Sequence, residues 1–261
     1  MKPTATVLGL LCFAFLGNPR VHAGEAHASV YVVDRADEFA GTGGACLPYS
    51  SQQKTSASRE ILAIAEGPAG SSIFMIAFDR EYPHLGLAPV IAAQGEESKP
   101  VRFPAEGSSW PFRTFSRPVD LYVAIFDSAD PELAKLAEYA GWLTDALKQK
   151  DEVNVLLHAE AIRARLAALL RRGRIQDYRV NYGEELTSLR EPPSSKAGVT
   201  RSQKPDPVLD GAKRASQSRS VEVRRGLKTL EAEWREDARV IPFAAPNPGL
   251  LIFPITTPIA L

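Results

Sequence analysis

LYVAIFDSADPELAKLAEYAGWL, residues 121–143, carries the change of pattern that decides the fold class. Its first half, Leu121–Phe126, is a short apolar run rich in β-branched and aromatic residues, which is the composition of a buried strand. Its second half repeats apolar residues at helical spacing. Between them stands Asp130-Pro131-Glu132: an acid suited to the N-cap, a proline in the first turn where no amide hydrogen is missed, and a second acid favourable to the helix dipole. A strand therefore ends and a helix begins within four residues.

Upstream, the pattern is β throughout. Short runs at Val30–Val33, Ile61–Ala65, Ile73–Phe78, Val90–Ala93, Val101–Phe103 and Phe112–Phe115 are separated by Gly, Pro and Ser clusters, as in an antiparallel sandwich or open barrel. Pro100 and Pro104 bracket one of these runs and suit an edge position. Residues 41–58 have no periodicity and read as a long loop.

Downstream, the pattern is α. Leu133, Leu136, Ala137, Ala140, Leu143 and Leu147 form one stripe, and Lys148-Gln149-Lys150-Asp151 interrupts it. A second stripe runs through Val155, Ala159, Ile162, Leu166, Leu169 and Leu170 to the stop signal Arg171-Arg172-Gly173. Two antiparallel helices packed on the β domain would bury both stripes.

A short strand is expected around Tyr178–Tyr182. Residues 190–220 hold prolines, serines and basic residues with almost no large apolar side chain, the composition of a disordered linker. Val223, Leu227, Leu230 and Trp234 then suggest a short helix. The tail from Val240 is apolar but interrupted by prolines, which forbids a helix and permits an edge strand, best at Leu250–Phe253. The expected class is α+β: an antiparallel β-sandwich-like domain over residues 24–128, an α-helical hairpin over 129–189, the disordered linker, and over 221–261 a C-terminal helix plus a proline-rich strand.

At the other end, Lys2, the apolar run Val7–Leu16 and the small-residue motif Val21-His22-Ala23 have the order of a cleavable secretory signal over residues 1–23. Ala26-His27-Ala28 offers a second acceptable cut. Cleavage after Ala23 would remove Lys2 and Arg20, leaving 29 basic side chains from the original 31 against 31 acidic ones, a net charge of −2. It would also leave Cys46 as the single cysteine, so no intrachain disulfide could form. Nothing later in the chain is apolar for long enough to cross a bilayer as a helix.

No catalytic constellation emerges. No serine stands in a G-x-S-x-G turn, and Gly41-Thr42-Gly43-Gly44 lacks the later residues of a phosphate-binding loop. No histidine or cysteine pair has zinc-ligand spacing, and Asp34, Asp37 and Glu38 lack the alternation of a calcium loop. Neither a metal nor another cofactor is expected. Phe103, Trp110, Phe112, Phe115 and Tyr122 read as core and rim of the sandwich. The remaining feature is charge: a basic region follows an acidic first half, and it begins with Arg163, Arg165, Arg171, Arg172 and Arg174 on and after the second helix.

These five arginines are the expected binding residues of a non-catalytic envelope or secreted protein, periplasmic or extracellular, that contacts another exported protein rather than nucleic acid. The competing expectation is an exported hydrolase, for which Cys46, His84 and His158 are the residues to test.

Overall fold

The computed structural model describes residues 23–36, 44–50, 57–80, 85–111, 118–171, 176–179, 187–188, 225–244 and 247–255. It is α+β, with two six-stranded sheets stacked face to face. The first contains β1 (Ala23–Asp34), β2 (Ala45–Pro48), β3 (Arg59–Glu66), β6 (Val101–Phe103), β10 (Arg225–Gly226) and β11 (Arg239–Ala244). The second has the order β5 (Val90–Ala93), β4 (Ser71–Asp79), β7 (Val119–Asp127), β12 (Gly249–Ile255), β8 (Gln176–Arg179) and β9 (Thr187–Ser188). Every pairing is antiparallel except that of β12 with β8.

Period-two alternation sorts each strand between two cores. Val30, Val32, Ile61, Ala63, Ile73, Met75, Val123, Ile125, Leu251 and Phe253 meet between the sheets. The intervening residues of the second sheet, including Phe74, Ile76, Ala124, Phe126, Leu250 and Ile252, point the other way and are covered by the helical hairpin. Those of the first sheet, Tyr31, Val33, Cys46 and Ile64, are covered by Leu230 and Trp234. The molecule thus has four layers, and β4, buried at all nine positions, reads as a continuous apolar run because both its faces are covered.

The hairpin consists of α1 (Pro131–Gln149) and α2 (Glu152–Arg171). Asp130 caps α1 by accepting a 2.8 Å hydrogen bond from the Glu132 amide. Lys150 ends it in the left-handed region (φ 56°), and the Asp151 amide donates back to Ala146 O at 3.0 Å. Asp151 then caps α2 through bonds from the Asn154 amide and side chain. The stripes face inward as the spacing predicts, except that Ala137 is exposed and Ala146 takes a buried place on α1.

A short α3 (Leu227–Glu233) and a 3₁₀ turn (Trp234–Asp237) form the opposite outer layer. Polar ties hold this small layer. Tyr31 donates to Trp234 O at 2.9 Å, and the Glu66 carboxylate accepts from Arg235 Nε at 2.9 Å and Ser98 Oγ at 2.5 Å.

Several local expectations change. β1 begins at Ala23 rather than Val30, because Ala23–Ala28 pairs with β11, a strand that the tail's prolines obscured. Within the segment read as a loop, Ala45–Pro48 is a strand held between β1 and β10. The tail strand is interior, not an edge: β12 pairs with β7 along its length and with β8 over Gly249–Ile252. Pro254 falls beyond β8, where only one neighbour remains, so its missing donor is tolerated. Phe112–Phe115, residues 1–22 and the expected linker at 190–220 lie outside the described residues.

Candidate functional site

Among the described residues, four large apolar side chains are left exposed outside the three cores. Trp142 on α1 and Val153, Leu156 and Leu157 on α2 are 46, 76, 48 and 61 % exposed. They follow from the helical periodicity itself. In α2, Ala159, Ile162, Leu166 and Leu169 occupy the buried side, so Val153, Leu156 and Leu157 fall on the opposite one. The helix is apolar on two sides, whereas an ordinary surface helix turns polar residues to water.

An aromatic bridge sets the patch. The Tyr139 and Trp142 rings meet edge to face with centroids 5.4 Å apart, and the His158 ring of α2 lies 5.5 Å from Trp142 at a tilt of 45°. Trp142 is thereby held across the seam between the helices, against α2. A cluster of exposed apolar residues of this kind marks an interaction site more often than an isolated exposed leucine does. Its flanking charges are balanced: Lys148 pairs with Asp145 at 3.3 Å and Arg163 with Glu160 at 2.9 Å.

The arginines expected to form a binding surface are divided. Arg163 is engaged with Glu160, and Arg165 Nε lies 3.0 Å from Glu132 Oε2 of α1, so that guanidinium helps tie the hairpin together. The Arg171 backbone ends α2, and Arg172 and Arg174 lie outside the described residues. The residues of the competing expectation do not assemble either. Cys46 is buried in the core beneath Leu230 and Trp234, on the face of the molecule opposite His158. His84 lies outside the described residues.

A second polar group surrounds Glu66, which is buried beneath Arg235 and bonded by Ser98. His27 faces Glu66 across the β1–β3 register, and its buried Nδ1 has no hydrogen-bond partner. Burial, reinforced by the Arg235 charge, pushes the His27 imidazole below its ordinary value of 6.5 despite the opposing acids Glu25 and Glu66. The Glu66 oxygens are taken up by the bonds that anchor the 3₁₀ turn, which gives this group a structural role.

Elsewhere, the aromatic expectation resolves into packing: Phe103 and Trp110 are buried between the sheets, edge to face at 5.5 Å. Asp34 accepts from Ser58 at 2.7 Å and faces Arg59 at the end of β1. The Ser58 bond chiefly holds its carboxyl below the usual range. Among the described residues no three metal-ligating side chains come together, and no helix is long and apolar enough to cross a membrane.

Sequence reasoning missed the exposed patch because it collected the residues that fit each stripe and passed over those that did not. Trp142, Leu156 and Leu157, large and apolar yet outside the stripes, were the available signal. No protein-family model matches the chain, and neither a curated protein nor a solved structure matches it.

Proposed function

We propose that this is an exported, non-catalytic protein of the cell envelope or extracellular space that works by protein–protein contact, and that the outward face of the α1–α2 hairpin makes the contact. The observation that carries the reading is the exposure of Trp142, Val153, Leu156 and Leu157 together on a rigid helical pair. A few residues, tryptophan prominent among them, supply most of the energy of protein interfaces, and apolar neighbours keep water from them. The balanced charge around them favours a protein surface over nucleic acid or an anionic membrane, either of which would call for a basic excess.

Export rests on the leader-like residues 1–23, and the register of β1 favours the first of the two cuts. Cleavage after Ala28 would delete Ala23–Ala28, the stretch of β1 that pairs with β11. Cleavage after Ala23 would keep all of it but the first residue. N-terminal sequencing of the exported protein should therefore return Gly24.

The contact reading is tested in a strain lacking the wild-type gene. A Trp142→Ser/Leu157→Glu variant should fail to restore the phenotype, while Cys46→Ala restores it. The opposite pattern would support the hydrolase. Folding of both variants is checked by circular dichroism, since the substituted hairpin residues lie at the surface.

A further inference from the structure

We infer that the partner seated on the hairpin face is a second copy of this chain, bound hairpin to hairpin so that two copies of α1 and α2 form a four-helix layer. The inference rests on the contact reading above and names its occupant. Three observations carry it.

The first is area. At ordinary side-chain sizes, the exposed parts of Trp142, Val153, Leu156 and Leu157 amount to on the order of 400 Å² of apolar surface. A two-fold pairing would bury about 800 Å² of it, and the surrounding helix surface brings the total to the ~1,200 Å² at which specific interfaces begin. That is enough for a weak dimer.

The second is charge. From Glu132 to Arg165 the hairpin carries five basic side chains (Lys135, Lys148, Lys150, Arg163 and Arg165) and six acidic ones (Glu132, Glu138, Asp145, Asp151, Glu152 and Glu160), a mixed set with a net charge of −1. A mixed rim is compatible with itself under two-fold rotation, where a rim of one sign would repel its own copy.

The third is Gly141. It lies in the middle of α1, one residue before Trp142 and so about 100° around the helix from it, where glycine costs about 1 kcal/mol relative to alanine. It has no positive φ, and a Cβ built there would meet no atom within 4 Å. Nothing among the described residues calls for a glycine at that position. A second helix crossing closely would, because the missing side chain lets two backbones approach. Exposed Ala134 and Ala137 keep the preceding turns of the same helix low.

Sedimentation velocity of the purified protein from about 1 to 300 µM tests this. The expected result is a concentration-dependent monomer–dimer equilibrium with a Kd on the order of 10 µM. Leu157→Glu should weaken it at least tenfold with an unchanged melting temperature in dilute solution. Gly141→Leu should weaken it similarly while leaving the helix content intact. A dimer indifferent to both substitutions overturns the inference. So does a wild-type chain that stays monomeric throughout, and a photocross-linker at position 157 then separates the two claims: capture of a different exported protein in cells leaves the contact reading standing, and no capture removes it as well.

Discussion

Leu143→Ala and Leu157→Ala delete the same three carbons from neighbouring helices and should have very different effects. Leu143 is fully buried in the core shared by the hairpin and the second sheet. Losing three buried carbons at about 0.8 kcal/mol each removes ~2.4 kcal/mol of transfer free energy, and the residual cavity raises the cost to about 3–4 kcal/mol. Leu157 is 61 % exposed, so only about two-fifths of that transfer energy is at stake, no closed cavity forms, and the better helix propensity of alanine offsets part of the loss. The expected cost is about 0.5–1 kcal/mol. With a urea slope of about 2.5 kcal/mol/M, the midpoint should fall by ~1.4 M for Leu143→Ala and by ~0.3 M for Leu157→Ala. These values apply at about 1 µM protein, below the expected dimer constant. At about 100 µM the dimer stabilises the wild type by mass action, and the penalty of Leu157→Ala should grow by roughly 1 kcal/mol while that of Leu143→Ala changes little. Equal penalties at 1 µM would refute the orientation of α2. A Leu157→Ala penalty that does not grow with concentration would refute self-association.

Three further outcomes follow from local geometry. Lys150 holds a left-handed conformation at the α1 C-cap, so Lys150→Gly should raise stability by about 1 kcal/mol in urea titration, and a loss would show that the lysine side chain contributes more than the backbone strain. The depressed His27 means that below pH 6.5 the unfolded chain takes up a proton that the folded chain resists. Stability should therefore fall as the pH drops from 6.5 toward the lower folded value; His27→Gln should flatten that slope, and an unchanged slope would exclude His27 as its source. Cys46 lies under α3 and the 3₁₀ turn, so a thiol reagent should label the native protein at least about a thousandfold more slowly than the urea-unfolded chain, and rapid native labelling would show that this layer opens freely.

The parts of the fold that were legible in the sequence are those whose burial leaves a period. Ile73–Phe78 and Leu121–Phe126 fall inside β4 and β7, and the two helices start and stop at their caps, because Asp130, Pro131 and the polar turn at Lys148–Asp151 are local signals. β2 and β11 were not legible. Each is short, and each is extended because of a neighbour distant in sequence: Val33 pairs with Cys46, and Gly24 with Phe243. Pairing partners of that kind leave no mark on local composition, and Pro242 within β11 argues locally against a strand. The partners of the expected binding arginines were illegible for a related reason. Five arginines close together in sequence suggested a basic face, but Arg165 and Glu132 stand 33 residues apart and meet only once the hairpin closes. Charge counted along a chain ignores the pairs that folding makes.

The two outer layers of the molecule differ in a way that bears on which of them meets a partner. The layer of α3 and the 3₁₀ turn turns its large apolar residues, Leu230 and Trp234, inward and is fastened by Tyr31 and Glu66. Among its described side chains no large apolar one is left exposed. The hairpin is fastened by its apolar inner side, and it still presents Trp142, Val153, Leu156 and Leu157 on its outer one. An ordinary surface helix turns polar residues to water, so four large apolar residues among the exposed charges of the hairpin single out this layer as the one that meets a partner. Stacking a second hairpin on it would cover this face as the described large apolar side chains of the other three layers are covered, with the charged residues left at the rim.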